Sequence, residues 1–484
     1  MAWKQIEATP PHIIYLLLST FLLSYVLFSN FLRNRLHLSE PPLALLTGII
    51  LGPFVLGWFK PNGLSEGSWG WGDDIVQETT RMIVGIQVFT VGVELPKAYA
   101  SRHWKSVAML LGPVMAFGWL VCGLFCWLIF GVDARTALVI SACLTPTDPV
   151  LAASILSNSQ FSERVPKRIR HMLSAESGCN DGVSFPFLYI GLFLLSEQAP
   201  GEALKRWVLI TLLWQCLFGT FIGLVIGTVF HRVLRFSEAK GYIDGPGFIV
   251  FYILLAAFSV GVGSTLGSDD FLVAFGAGYG FARDGWFAEK TKEAKLGNII
   301  DLIFNSTMFV YLGTILPFDA YEYSSNTPWI TPARLMAFLI AVLLLRRIPI
   351  VLGIYHWIPD IKTFQEALFC GHFGPMGLGG LFLSIEARAV LENGTSNPDP
   401  HPPMLTHPIT PREKAIATVW PVVSFIVLGS TLVHGLSVLA ISMYSHFVRP
   451  KHSQADIVAG ETDPLIGMVH ESSDAEDQSS SDGE

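Results

Sequence analysis

Two short stretches carry residues that could do chemistry: Thr145-Pro146-Thr147-Asp148-Pro149 and, one basic loop later, Glu176-Ser177-Gly178-Cys179-Asn180-Asp181. Both sit inside long apolar segments, where an ionisable side chain is costly and marks function by default. Pro146 and Pro149 have no N–H to donate, so a helix through them leaves the carbonyls of Ala142 and Thr145 unpaired. Asp148 precedes a proline and is pushed toward extended backbone. A chain broken at membrane depth survives only where it is buried in protein or lines a wet cavity. Freed carbonyls, threonine hydroxyls and a carboxylate together make an oxygen-rich site for a hard cation.

The second stretch reads by helical angle. Ser177 and Asp181 are four apart and share a face, as do Glu176 and Asn180. Glu176 and Asp181 lie about 140° apart around a helix, so the two carboxylates are expected to have different partners. One would hold a cation with Ser177 while the other pairs with a basic residue from elsewhere. The competing reading is a set of polar residues that only stitch helices together. Two such clusters a single loop apart weigh against it.

Composition says what must position these residues. The chain has 484 residues, 51% hydrophobic and 14% charged, with positive mean hydropathy. A soluble domain carries about 25% charged residues, so this is an all-α polytopic membrane protein. The net charge of −8 says little, because most of it lies in residues 448–484. All six cysteines fall in apolar spans and read as packing residues, with neither a disulfide framework nor a metal motif. The first apolar run lacks a strong basic flank and is expected to be a retained span, not a cleaved signal.

Hydropathy gives about thirteen transmembrane spans: 12–32, 41–59, 75–95, 106–130, 134–156, 169–195, 206–231, 247–266, 270–284, 295–317, 332–356, 364–387 and 415–446. The third and ninth carry the weakest signal. Loops on one side hold seventeen Lys and Arg against nine on the other, which puts the richer side in the cytoplasm, the N-terminus (1–11) outside and the C-terminus inside. The sequon at Asn393 then faces outward, and the one at Asn305 lies within a span. The acidic tail, 448–484, lacks the hydrophobicity to fold and is expected to be a disordered cytoplasmic segment.

Three basic residues lie well inside spans, away from their ends. Arg81 is expected to snorkel from a helix entrance. Arg346 and Arg347 are too deep for both to escape, so one should meet a buried carboxylate, and Glu176 is the best candidate. Span twelve contains Gly371-His372-Phe373-Gly374-Pro375-Met376-Gly377, a second glycine and proline interruption. Spans five and twelve are seven apart and cross in opposite directions. Two discontinuous crossing helices in corresponding places point to an inverted-repeat transporter. His372 is open to two readings, a pH-sensing group or a hydrogen-bonded structural histidine. Asp269 and Asp270 stand at the outer start of span nine, as a cation-attracting mouth or as solvated loop carboxylates.

With these motifs in view, the chain resembles the monovalent cation/proton antiporters, in particular the sodium/proton exchangers of fungal plasma membranes. The shared features are Thr147-Asp148 in its apolar setting, the 176–181 block, Val91 to Leu95, Gly267 to Phe275, Arg347 to Val351 and Gly371 to Gly377. The resemblance implies that Asp181 alternately binds proton and cation, with Asp148, Thr147 and Ser177 as co-ligands and Asn180 as polar support. It implies that Glu176 and Arg347 form a buried structural pair. It also implies a homodimer in lipid, with a core (about 106–195 and 332–446) moving against a dimerisation scaffold (about 12–95 and 206–317). Met376 stands where many animal and bacterial relatives carry an arginine, so no role of that arginine is carried over. The expected tail is short, so elaborate tail regulation is not carried over from the resemblance.

The expected activity is exchange of Na⁺ or Li⁺, or K⁺, for H⁺, with no cofactor and no nucleic-acid partner. A cation channel would show rings of similar polar residues, and a single discrete cluster does not fit that. An intramembrane hydrolase would need a nucleophile with its base or metal-spaced histidines, and neither is convincing here.

Overall fold

The computed structural model describes residues 10–36, 38–59, 72–148, 165–196, 199–291, 296–400, 405, 408 and 410–448. The acidic tail and the end of span five lie outside these residues. Every regular element among the described residues is a helix.

The order opens with α1 (Pro10–Asn34), α2 (Glu40–Leu51), α3 (Asp73–Glu94) and α4 (Tyr99–Met109). A π-type turn at Leu110–Val114, which contains Pro113, joins α4 to α5 (Met115–Phe130). Then come α6 (Ala134–Ala142), α7 (Lys167–Ser196) and α8 (Pro200–Arg206), the last continuing through a π-type stretch, Trp207–Phe218, into α9 (Gly219–Ala239). After these follow α10 (Gly245–Thr265), α11 (Asp270–Ala282), α12 (Trp286–Thr291), α13 (Leu296–Ile315) and α14 (Phe318–Tyr321). The chain closes with α15 (Pro332–Leu345), α16 (Ile348–Ile354), α17 (Phe364–His372), α18 (Leu378–Asn393) and α19 (Pro411–Val448).

Seven continuous helical stretches among the described residues are long and apolar enough to cross a bilayer. That is fewer than the expected thirteen; shorter apolar helices occur at Glu40–Leu51, Asp270–Ala282 and Leu302–Ile315. Span three, weak in the sequence, is the unbroken 22-residue α3. Span nine is α11, whose 13 residues rise only about 20 Å at 1.5 Å each. It is wedged between α3 and α9, and a Cβ on Gly278 would strike the carbonyl of Phe89.

The breaks follow from the prolines. α6 is capped by Asp133, which accepts from the Arg135 N–H at 3.0 Å, and it ends four residues before Pro146. The Ala142 carbonyl is not left free, because the N–H and hydroxyl of Thr145 turn back to it at 3.1 and 2.7 Å. α17 ends at His372, and the chain runs irregularly to Gly377 before α18 begins. The two irregular segments cross, and the Asp148 N–H donates to the Pro375 carbonyl at 2.8 Å. A third break separates α15 from α16 at Arg346 and Arg347, ahead of Pro349. Leu144, Phe382, Val423 and Phe338 are buried in the principal apolar cluster, which encloses the crossing.

Candidate functional site

Asp148 and Asp181 face the crossing from two sides, 3% and 2% exposed. Asp148 Oδ2 accepts from the Leu378 N–H at 3.2 Å, so this carboxylate sits on the N-terminus of α18, where a helix favours negative charge. The approach requires glycine, since a Cβ on Gly377 would collide with the Asp148 carboxylate. A Cβ on Gly379 would likewise collide with Asp181 Oδ1, so Asp181 lies directly against the first turn of α18. That oxygen accepts no hydrogen bond from any described residue. Among the described residues, the charged groups acting on Asp181 are Asp148 and Asp269, both acidic.

Thr147 is held by α7. Its N–H donates to Asn180 Oδ1 at 3.2 Å, and its hydroxyl accepts from Asn180 Nδ2 at 2.7 Å. The same hydroxyl lies 2.9 Å from Ser177 Oγ. Ser177 and Asn180, one helical turn apart, therefore fix the broken strand to α7, while Asp181 points past it toward α18. Glu176 takes the remaining direction. Arg347 donates to it through both Nη atoms, one at 2.7 Å, and Arg347 Nε donates to the Cys370 carbonyl at 2.7 Å. Arg346 points the other way, and its two Nη atoms donate to the carbonyls of Leu144 and Gly374.

Two expectations change. Asp269 and Asp270 are not solvated, because each is only 1% exposed. Asp269 caps α11 by accepting from the Leu272 N–H at 3.0 Å, and its Oδ2 has no partner among the described residues. A Cβ on Gly182 would come within 3.1 Å of Asp269 Oδ1, which puts this carboxylate beside the residue that follows Asp181. Arg81 does not snorkel. It donates to Asp270 Oδ2 at 2.6 Å, and its guanidinium lies 5.0 Å from the Phe382 ring centroid. A buried acid within reach holds the arginine in protein. His372 Nε2 lies 3.0 Å from Ser437 Oγ, and the His372 carbonyl lies 3.0 Å from His434 Nε2.

The model of the transmembrane sodium/hydrogen exchanger family matches residues 17–443. The chain belongs to that family. It is 42% identical over 441 residues to a probable Na⁺/H⁺ antiporter of Schizosaccharomyces pombe, covering 90% of this chain and 57% of the relative. It is also 42% identical over 447 residues to Na⁺/H⁺ antiporter 2 of Zygosaccharomyces rouxii, covering 92% and 54%. The chain thus spans little more than half the length of these curated relatives. A solved sodium proton antiporter, MjNhaP1 of Methanocaldococcus jannaschii, shares the fold, with a TM-score of 0.62 at 18% identity over 88% of this chain and 99% of that one.

Sequence reasoning about this exchanger-family chain passed over a second polar cluster in the same molecule. Glu386 on α18 accepts from Gln77 Nε2 at 2.6 Å and from the Tyr189 hydroxyl at 2.7 Å. One half-turn on, Arg388 pairs with Asp73 and, at 2.9 Å, with Glu392. Glu386 stood at the edge of span twelve as an unclaimed acid, which was the available signal. Arg168 with Glu366, and Glu40 with Ser306, join residues too far apart in sequence for any local pattern to link them.

Proposed function

We propose that this chain is a secondary antiporter that exchanges Na⁺, Li⁺ or K⁺ for H⁺ by alternating access, working as a homodimer in the plasma membrane. One observation carries the reading. Asp181 is a buried carboxylate with an oxygen unpartnered among the described residues, and the described charges acting on it are acidic. An isolated carboxylate in such a setting is strongly unfavourable unless a proton or a cation meets it. The two then compete for one group, and that competition alone couples their fluxes. Asp148 and Thr147 are the proposed co-ligands, with Ser177 and Asn180 holding Thr147 in place. The printed names of the fungal relatives support the same assignment.

Alternating access requires a body that moves. The proposed core, about 106–195 and 332–446, carries Asp148 and Asp181 together, with Glu176 and Arg347 bracing its two halves. The scaffold, about 12–95 and 206–317, contributes Asp269. In this arrangement the contacts Gln77–Glu386 and Asp73–Arg388 join scaffold to core and would break as the core moves. The proposed orientation puts the N-terminus and Asn393 outside and the C-terminus in the cytoplasm.

The test is reconstitution of the chain in vesicles holding a pH gradient at clamped membrane potential. Addition of Na⁺, Li⁺ or K⁺ is expected to dissipate the gradient. Cation conductance without proton exchange would make the protein a channel, and no response to any of the three cations would overturn the reading.

A further inference from the structure

The charge of Arg347 is matched by Glu176, but Arg346 beside it makes no ion pair with a described carboxylate. It is nonetheless buried, at 7% exposure, and its two Nη atoms each hold one carbonyl, those of Leu144 and Gly374. Leu144 lies just beyond the end of α6, and Gly374 just beyond the end of α17. Both helices run into the crossing and stop there, so two C-terminal ends meet. At roughly −0.5 charge for each helix end, they sum to about one negative charge, which a single guanidinium matches. On the opposite side of the crossing the Asp148 carboxylate meets the N-terminus of α18. The crossing is thereby balanced from both sides without Asp181.

The position of Arg346 is built. The break before Pro349 turns its side chain toward the crossing, and its own carbonyl packs where a Cβ on Gly118 would come within 3.0 Å. Arg346, Arg347, Thr145, Glu176 and Asn180 share the walls of a cavity of about 20 Å³, so Arg346 borders the residues that hold Thr147.

We propose that Arg346 is a positioning residue of the cation site. It pins Leu144 and Gly374 so that Thr147, Asp148 and the start of α18 stay in register with Asp181. It also occupies two carbonyls that a broken helix would otherwise offer as ligands, and so restricts the cation to a small set of side-chain oxygens. The number and field strength of coordinating oxygens rank monovalent cations, so Arg346 sets both affinity and the Na⁺ to K⁺ preference. The inference rests on the antiport reading in taking Asp181 as the carboxylate that meets the cation.

The test is thermal stabilisation of the purified chain by NaCl and by KCl at alkaline pH, because a ligand that binds the native state raises its melting temperature. Arg346→Lys loses the fork but keeps the positive charge that matches the two helix ends, and is expected to keep the half-stabilising NaCl concentration within about threefold of wild type. Arg346→Gln keeps N–H donors without charge and is expected to raise it at least about tenfold, the usual loss when an outer partner of a metal site is removed, and to change the NaCl to KCl ratio. A merely structural arginine would lower the melting temperature and leave both the half-point and the ratio where they were. That result overturns the proposal, as does a lysine variant as impaired as the glutamine one. If Arg346→Gln does not accumulate, adding Met376→Arg is expected to restore it, since residue 376 shares a buried cluster with Leu144 and lies two residues from Gly374. Failure to restore counts against the proposal, and so does a wild type that no cation stabilises. Vesicle exchange is read separately. Stabilisation by cation without exchange would overturn the antiport reading and leave Arg346 in place.

Discussion

Glu176 and Asp181 stand on the same helix, at 3% and 2% exposure, and differ in what meets their oxygens. Glu176 is met by both arms of one guanidinium. Asp181 has Oδ1 against the backbone of α18 and accepts no bond there from a described residue. Burying either carboxylate costs several kcal/mol before any partner is counted. For Glu176 the partner is part of the chain and always present. For Asp181 the proposed partner comes from solution, as a proton or as a cation. Five positions of one helix thus separate a closed ion pair from a carboxylate whose Oδ1 has no partner among the described residues, and what divides them is the direction each side chain leaves the helix.

The comparison breaks most completely at Asp181. Asp181→Asn cannot ionise and is expected to abolish exchange in vesicles while the melting temperature stays at or above wild type. A large loss of stability in that variant would make Asp181 a second structural carboxylate. At Glu176 the pattern reverses. Glu176→Gln or Arg347→Ala strands a buried charge and is expected to cost on the order of 3–5 kcal/mol, read as poor expression and a lower melting temperature. The swap Glu176→Arg with Arg347→Glu should recover part of it. Normal stability in both single variants would show that the pair is not a brace. The smallest effect lies between the two acids. Ser177→Ala removes one hydroxyl contact to Thr147, worth about 1 kcal/mol, and is expected to raise the cation KM several-fold with maximal rate and fold retained. An unchanged KM would separate Ser177 from the site.

Much of this geometry was legible in the chain. Two interrupted apolar segments seven spans apart could be recognised from Pro146, Pro149, Gly374 and Pro375, because a proline removes a donor wherever it falls. The divergence of Glu176 and Asp181 followed from helical angle alone. What the sequence could not give was where freed backbone groups find partners. Ala142 is satisfied locally by Thr145, and Leu144 by an arginine some two hundred residues away. Asp269 and Asp270 could be read as a cation mouth or as loop acids because they begin a segment. They are buried because α11 is short and starts inside the protein, a fact set by its packing on α3 and α9. Arg81 was misread for the same reason, since nothing in the spacing marks Asp270 as its buried partner. The contact of Ser177 Oγ with the Thr147 hydroxyl, 2.9 Å across thirty residues of chain, was likewise beyond what spacing shows.

The central claim is that proton and cation compete for Asp181, and Na⁺ titration of exchange at several pH values in vesicles tests it most directly. Simple competition predicts an apparent KM for Na⁺ that falls about tenfold per pH unit below the pKa of the site and then levels off. It also predicts that saturating Na⁺ restores the rate at low pH. If low pH instead cuts the maximal rate and leaves KM unchanged, competition at one carboxylate is wrong, and a separate titrating group such as His372 controls the cycle.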